Sequence, residues 1–230
     1  MWLGLGLGFL SLAGAGVHPN MERASMSEAE YEALQASKLG DSFGAANASA
    51  SQKRMEGYIR RFDAQIAHEL LEYLQRPTIQ HCVLSPVLCV GARLGGEVHA
   101  FQLLPQVSLA VGVDLNPGLR NPHVLYGDGQ RLEQFKNASF GTIFTNVLDH
   151  VLKIEKFAAA VHRVLRPNGT LLTHLYLNTL REDAWAVHDV ASEHANICAT
   201  LEAAGFAREQ QIRTRNKQRM TVLQLVYRRV

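Results

Sequence analysis

Cysteine is scarce: the chain has three, Cys82, Cys89 and Cys198, and none stands at a metal-ligand spacing from another. An odd number so placed supports neither a disulfide frame nor a zinc site, and with Cys89 inside an apolar run the three read as reduced core thiols. His162, His188 and His194 have no carboxylate or cysteine at ligand spacing, so no metal is expected and they read as helix-surface residues. Charge of one sign is also scarce. Lys and Arg number 23 against 21 Asp and Glu, a net charge of +2, so nothing in the balance demands nucleic acid or an anionic membrane as a partner. Residues 2 to 17 form an uncharged apolar stretch that falls short of the ~20 residues a bilayer-spanning helix needs, and no basic residue precedes it. Because Ala13-Gly14-Ala15 resembles a small-residue cleavage site, residues 1–20 are read as a secretory signal or a short membrane anchor. A start at Met21 or Met26, leaving a cytoplasmic protein, is the alternative. An organelle transit peptide is disfavoured by Glu22, Glu28 and Glu30.

What the chain does have is a pattern of buried strands and glycine turns. At 230 residues it fits one α/β domain with N-terminal additions. Residues 21–52, rich in Ser, Ala, Gly and Asn without a sustained apolar period, read as a flexible linker. The domain proper is expected over 53–230. It opens with a helix in which Met55, Tyr58, Ile59, Phe62, Ile66, Leu70, Leu71 and Leu74 recur at three- and four-residue spacing, ended by Pro77.

Val87-Leu88-Cys89-Val90 then reads as a parallel strand buried on both faces. It stops at Gly91-Ala92-Arg93-Leu94-Gly95-Gly96-Glu97, a turn that lets a ligand approach the backbone at the start of a helix. Eighteen residues after Gly96 a second apolar run ends in Asp114, a carboxylate placed to accept hydrogen bonds from the hydroxyls of a ribose. A turn carboxylate before Asn116-Pro117-Gly118 is the plainer reading of Asp114. Further strands are expected at 124–126, closing on Gly127-Asp128-Gly129, at 142–145, closing on Asn146, and at 170–175. A helical turn is expected at 131–135, and helices at 153–165 and within 182–204, the last ended by Gly205. The runs 209–213 and 221–227 flank a loop too short for a crossover helix, so they should pair antiparallel. The fold class is therefore α/β: a Rossmann-like, seven-stranded, mainly parallel sheet with a C-terminal antiparallel hairpin and helices on both faces.

Residues 83 to 228 resemble, in order and spacing, the class I S-adenosylmethionine-dependent methyltransferases of methyltransferase type 11. The likeness is greatest to plant and algal proteins with a Cys-Val-Gly-Ala-Arg turn. The resemblance implies S-adenosyl-L-methionine as cofactor. It implies a donor site comprising Gly91, Ala92, Arg93, Gly95 and Glu97 of the first motif, Asp114 with Leu115 at the ribose, Gly127 and Asp128 at the adenine, and Asn146 and Val147 beside the methyl group. Leu165-Arg166-Pro167-Asn168-Gly169 is similar to the Leu-Lys-Pro-Gly-Gly turn before the fifth strand. Three positions depart from the pattern: Cys89 replaces an acid, Arg93 a glycine and Gly141 an aspartate. Arg93 is expected to pair with the donor's methionyl carboxylate.

Methyl transfer from a sulfonium is an in-line displacement, and positioning alone can supply roughly 7 to 11 kcal/mol. Where the nucleophile must lose a proton, Asp149 and His150 are the candidate bases; a helix N-cap and a packed histidine are their ordinary roles. No Asn-Pro-Pro-Tyr-like turn and no Pro-Cys nucleophile accompany the fourth strand, so the expected acceptor is a small molecule, lipid or glycan, not nucleic acid. Two rival functions remain: a catalytically inactive donor-binding interaction protein, and a nicotinamide-dependent oxidoreductase. The terminal hairpin and Arg93 at the second glycine position disfavour the latter.

Overall fold

The computed structural model describes residues 26–37, 50–118, 121–177, 186–217 and 219–230. The apolar segment 2–17, with the signal, anchor and start-site readings placed on it, lies outside the described residues. No described helix is long and apolar enough to cross a membrane.

Seven strands form one sheet: β1 (Val87–Val90), β2 (Ala110–Asp114), β3 (Val124–Tyr126), β4 (Phe140–Thr145), β5 (Leu165–Tyr176), β6 (Phe206–Arg215) and β7 (Thr221–Arg229), in the order β3-β2-β1-β4-β5-β7-β6. The first five are parallel, while β7 runs antiparallel to β5 and β6, as the short loop before residue 221 requires. β1 is buried along its whole length and alternates between two cores. Leu88 and Val90 face one with Phe157 and Val161, whereas Val87 and Cys89 face the other with Leu70, Leu74 and Phe101. That alternation makes the molecule a three-layer sandwich.

One outer layer holds α2 (Ala50–Leu74), the single turn α3 (Pro77–Gln80) and α4 (Gly96–Gln102). In α2 the buried Ile59, Ile66, Leu70, Tyr73 and Leu74 fall on one stripe. Pro77 does not simply stop this helix; after a break it occupies the first turn of α3, where its missing N–H costs nothing. The other layer holds α5 (Ile154–Val164) and α6 (Val190–Ala203), which ends at Gly205 in the left-handed region, φ 93°.

Three local features differ from the sequence expectation. Residues 28–37, inside the stretch read as a linker, form helix α1 (Glu28–Ser37). Its start is a capping box: Ser27 N–H donates to Glu30 Oε2 at 2.8 Å, and Glu30 N–H donates back to Ser27 Oγ at 3.3 Å. Residues 131–135 are successive turns, closed by Leu132 N–H to the Asp128 carbonyl and Phe135 N–H to the Leu132 carbonyl, with Leu132 at φ 51° breaking the helix. Finally, β5 begins at Leu165, five residues early, because the Arg166–Gly169 turn is an irregularity within the strand.

β1 lies between β2 and β4, so the connections leaving its two sides diverge and open a crevice at the carboxyl ends of the strands.

Candidate functional site

The crevice is a cleft open to solvent and lined by residues of the β1, β2, β3 and β4 ends and of α1. At its floor, Gly91 adopts φ 81° and Arg93 φ 40°. The Gly91 and Ala92 amides donate to the Val113 carbonyl at 2.8 and 3.2 Å, which pins the turn to β2. A side chain at position 91 would run into Val147.

Asp114 is held by two backbone donors, Arg93 N–H to Oδ2 at 2.9 Å and Asn116 N–H to Oδ1 at 2.7 Å. Each oxygen keeps a lone pair for a further donor, which is what a ribose diol requires. Asp128, at the end of β3, accepts from Gln130 N–H at 2.8 Å and stands 3.8 Å from Arg131 Nε. Two carboxylates thus face the cleft from neighbouring strands.

α1 covers them. Tyr31, 5% exposed, and Gln35 line the cleft. Burial, with the Asp128 and Asp114 charges, pushes the Tyr31 phenol above its ordinary range. The helix is tied down from outside by Glu28, which pairs with Arg131 at 2.6 Å and with Lys156.

Of the expected donor-site residues, Gly91, Arg93, Asp114, Leu115, Gly127, Asp128 and Val147 line the cleft together. Ala92 is buried, and Gly95, at φ 95°, starts α4. Glu97 and Asn146 do not line the cleft; they are joined behind it by a bond from Asn146 Nδ2 to Glu97 Oε1 at 3.2 Å. Glu97 is 6% exposed, and its Oε2 has no hydrogen-bond partner among the described residues. Burial, then the neighbouring Asp63 of α2, pushes the Glu97 carboxyl up to about 8. Asp63 is itself raised by burial, although the Gly96 and Leu94 amides donate to it.

Asp149 and His150 occupy a 3₁₀ turn, Leu148–His150, after β4. His150 Nε2 lies 3.6 Å from Asp149 Oδ2, both side chains are 13% exposed, and His150 lines the cleft. Asp149 also braces the chain before α6, its carbonyl accepting from Val187 N–H at 2.6 Å and His188 N–H at 3.0 Å. Sequence reasoning missed Tyr31, Gln35 and Asp63. The Ser27-Glu28-Ala29-Glu30 capping signature was the available sign of α1. No cluster of three or more metal-ligating side chains exists among the described residues.

Residues 88–173 match the family model described as a methyltransferase domain. That stretch, from β1 into β5, is the part of the chain similar to methyltransferase domains. A comparison with curated proteins finds no match. Solved structures, methyltransferases among them, share the fold at low identity. The Burkholderia thailandensis 1,6-didemethyltoxoflavin-N1-methyltransferase, with bound 1,6-didemethyltoxoflavin and S-adenosylhomocysteine, is 16% identical over 95% of this chain and 93% of its own, TM-score 0.56. A SAM-dependent methyltransferase of Aquifex aeolicus is 16% identical over 70% and 97%, TM-score 0.50. The YcgJ protein of Bacillus subtilis is 18% identical over 70% and 98%, TM-score 0.53. What these structures share with the chain is the Rossmann-like methyltransferase fold.

Proposed function

We propose that the protein binds S-adenosyl-L-methionine in the cleft and transfers its methyl group to a small-molecule, lipid or glycan acceptor. The observation that carries this reading is the convergence of Asp114, Asp128 and the Gly91 turn on one cleft covered by Tyr31. Asp114 would take the ribose hydroxyls, Asp128 the adenine amino group, and Arg93 the methionyl carboxylate. When bound, the cofactor supplies an electrophilic methyl on a positively charged sulfur. The chain's own contribution is to hold donor and acceptor in line and to exclude water. His150, whose Nε2 lies 3.6 Å from Asp149 Oδ2, would accept a proton from an acceptor hydroxyl or amine.

A second pocket, which shares no lining residue with the cleft, is polar. It lies between α2 and the β5, β6 and β7 strands, lined by Ile66, Glu69, Arg76, His174, Tyr176 and Gln224 among others. His174 is neutral there, its imidazole pushed down to about 3 by burial and by Arg76. Tyr176 lines the same pocket, its phenol raised by burial and by the Glu69, Glu97 and Asp149 carboxylates.

The test is transfer itself. Incubated with methyl-tritiated donor and fractionated extracts, the full-length protein should label a small-molecule, lipid or glycan fraction, and the Asp114→Ala variant should label none. Donor binding without label in any fraction would favour the non-catalytic interaction protein. Label in nucleic acid alone would overturn the acceptor class.

A further inference from the structure

The pocket between α2 and the β5, β6 and β7 strands shares no residue with the donor cleft, and the fold leaves two of its polar groups incomplete. Arg76, half-buried just past the end of α2, is the first. Its Nη1 donates to Gln224 Oε1 at 3.1 Å, and its guanidinium carbon lies 5.4 Å from the centroid of the Tyr73 ring. Neither partner carries a charge, and the pocket's acids are engaged elsewhere: Glu72 stands 3.1 Å from His68 and 3.3 Å from Lys217, and Glu69 accepts from Gln65 Nε2 at 3.0 Å. His174 is the second. Its ring is 5% exposed and set edge-on to Tyr73 and Phe144, with centroids 4.6 and 5.3 Å away, yet Nε2 has no hydrogen-bond partner among the described residues. A buried polar atom left so is costly until another group completes it. The two groups face one space. His174 and Gln224 are directly paired across β5 and β7, Gln224 is the side chain that Arg76 holds, and the Arg76 charge acts on the imidazole.

A carboxylate completes both. A guanidinium is planar and carries several N–H donors, so with Nη1 given to Gln224 it still has donors for a second planar group. The neutral imidazole, its charge suppressed by burial and by Arg76, adds one N–H. Arg215 at the end of β6 and Lys217 just beyond it bring further positive charge, while the buried Ile66, Leu70 and Val222 supply an apolar wall. We infer that this pocket is a second ligand site, separate from the cleft, which takes a small organic acid with its carboxylate on Arg76 and its hydrocarbon body against Ile66, Leu70 and Val222. Glu69 and Glu72 set the charge that the site accepts. Lining the same pocket, they repel a second negative charge on the ligand, so a monoanion is favoured over the dianion of a phosphate ester.

This inference stands apart from the donor reading of the cleft, and its test uses no donor. Benzoate, benzamide (the same shape without the charge) and phenyl phosphate are titrated at pH 7 into the full-length protein, with binding followed by NMR of isotope-labelled histidine rings. Benzoate should bind saturably and shift the His174 signals, and benzamide should bind about tenfold more weakly or worse, a charge-assisted hydrogen bond being lost. Phenyl phosphate should bind more weakly than benzoate. Arg76→Gln should weaken benzoate by about tenfold or more, whereas Arg93→Gln, which removes the cation of the cleft, should leave its affinity unchanged. Thermal unfolding checks that both variants are folded, and the comparison of benzoate with benzamide needs the wild type alone. No benzoate binding, or benzamide binding as well as benzoate, overturns the role of the carboxylate. Tighter binding of phenyl phosphate overturns the preference for a single charge. Loss of benzoate from Arg93→Gln with retention by Arg76→Gln places the acid in the cleft and overturns the second site.

Discussion

Replacing Glu97 by glutamine should stabilise the free protein at alkaline pH, a result opposite to that expected for removing an ordinary surface charge. The carboxyl is 6% exposed and is pushed from 4.5 up to about 8 by burial and by Asp63. Between these values the folded protein holds a proton that the unfolded chain has lost, so the native state binds more protons and stability falls as pH rises. Each pKa unit is worth about 1.4 kcal/mol, so going from pH 5 to pH 8 should cost the wild type on the order of 3 kcal/mol through this group. Glu97→Gln has no such proton to hold and should lose correspondingly less. Asp63, raised by burial in the same direction, leaves the variant a smaller dependence of the same sign. Urea unfolding of both proteins at pH 5, 6.5 and 8 measures the difference. Parallel stability curves across that range would refute the reasoning, since Glu97 would then titrate alike in both states.

Two further substitutions probe the cleft's floor and its cover. Gly91→Ala puts an L side chain at φ 81° and drives a methyl into Val147; it should destabilise the protein by roughly 2 kcal/mol or more in thermal unfolding. Glu28→Ala removes the exposed ties to Arg131 and Lys156, so hydrogen exchange in α1 should quicken while S-adenosylhomocysteine affinity falls by less than about fivefold. Tyr31→Ala, which opens the buried side of the same helix, should weaken binding more.

The frame of the fold was legible because its central strands, β1 and β4, are buried on both faces. Val87 to Val90 can only be a core strand, and Arg215 to Thr221 leaves too little chain for a crossover, so β6 and β7 must pair antiparallel. The bounds were less legible where the chain departs from regular periodicity. Pro167-Asn168-Gly169 reads as a turn that starts a strand, yet register with β4 resumes across it and β5 starts at Leu165. α1 escaped notice because its sequence offers few apolar positions; its place depends on Tyr31 entering a cleft built by residues from Val90 to Val151, far along the chain. Of the candidate site, the groups at strand ends were readable from strand-turn order. The setting of Glu97 was not, because the neighbour that perturbs it most after burial, Asp63, sits on a helix whose polar positions carry no periodic signal.

The central claim is that the cleft at the ends of β1, β2 and β3 binds the methyl donor through Asp114. Calorimetric titration of S-adenosylhomocysteine into the full-length protein and its Asp114→Ala variant tests it most directly, with a nicotinamide dinucleotide as the competing ligand. The account predicts one site in the wild type, at least a tenfold weaker one in the variant, and no dinucleotide binding. Equal affinity in the two proteins, or binding of the dinucleotide in place of S-adenosylhomocysteine, would contradict it.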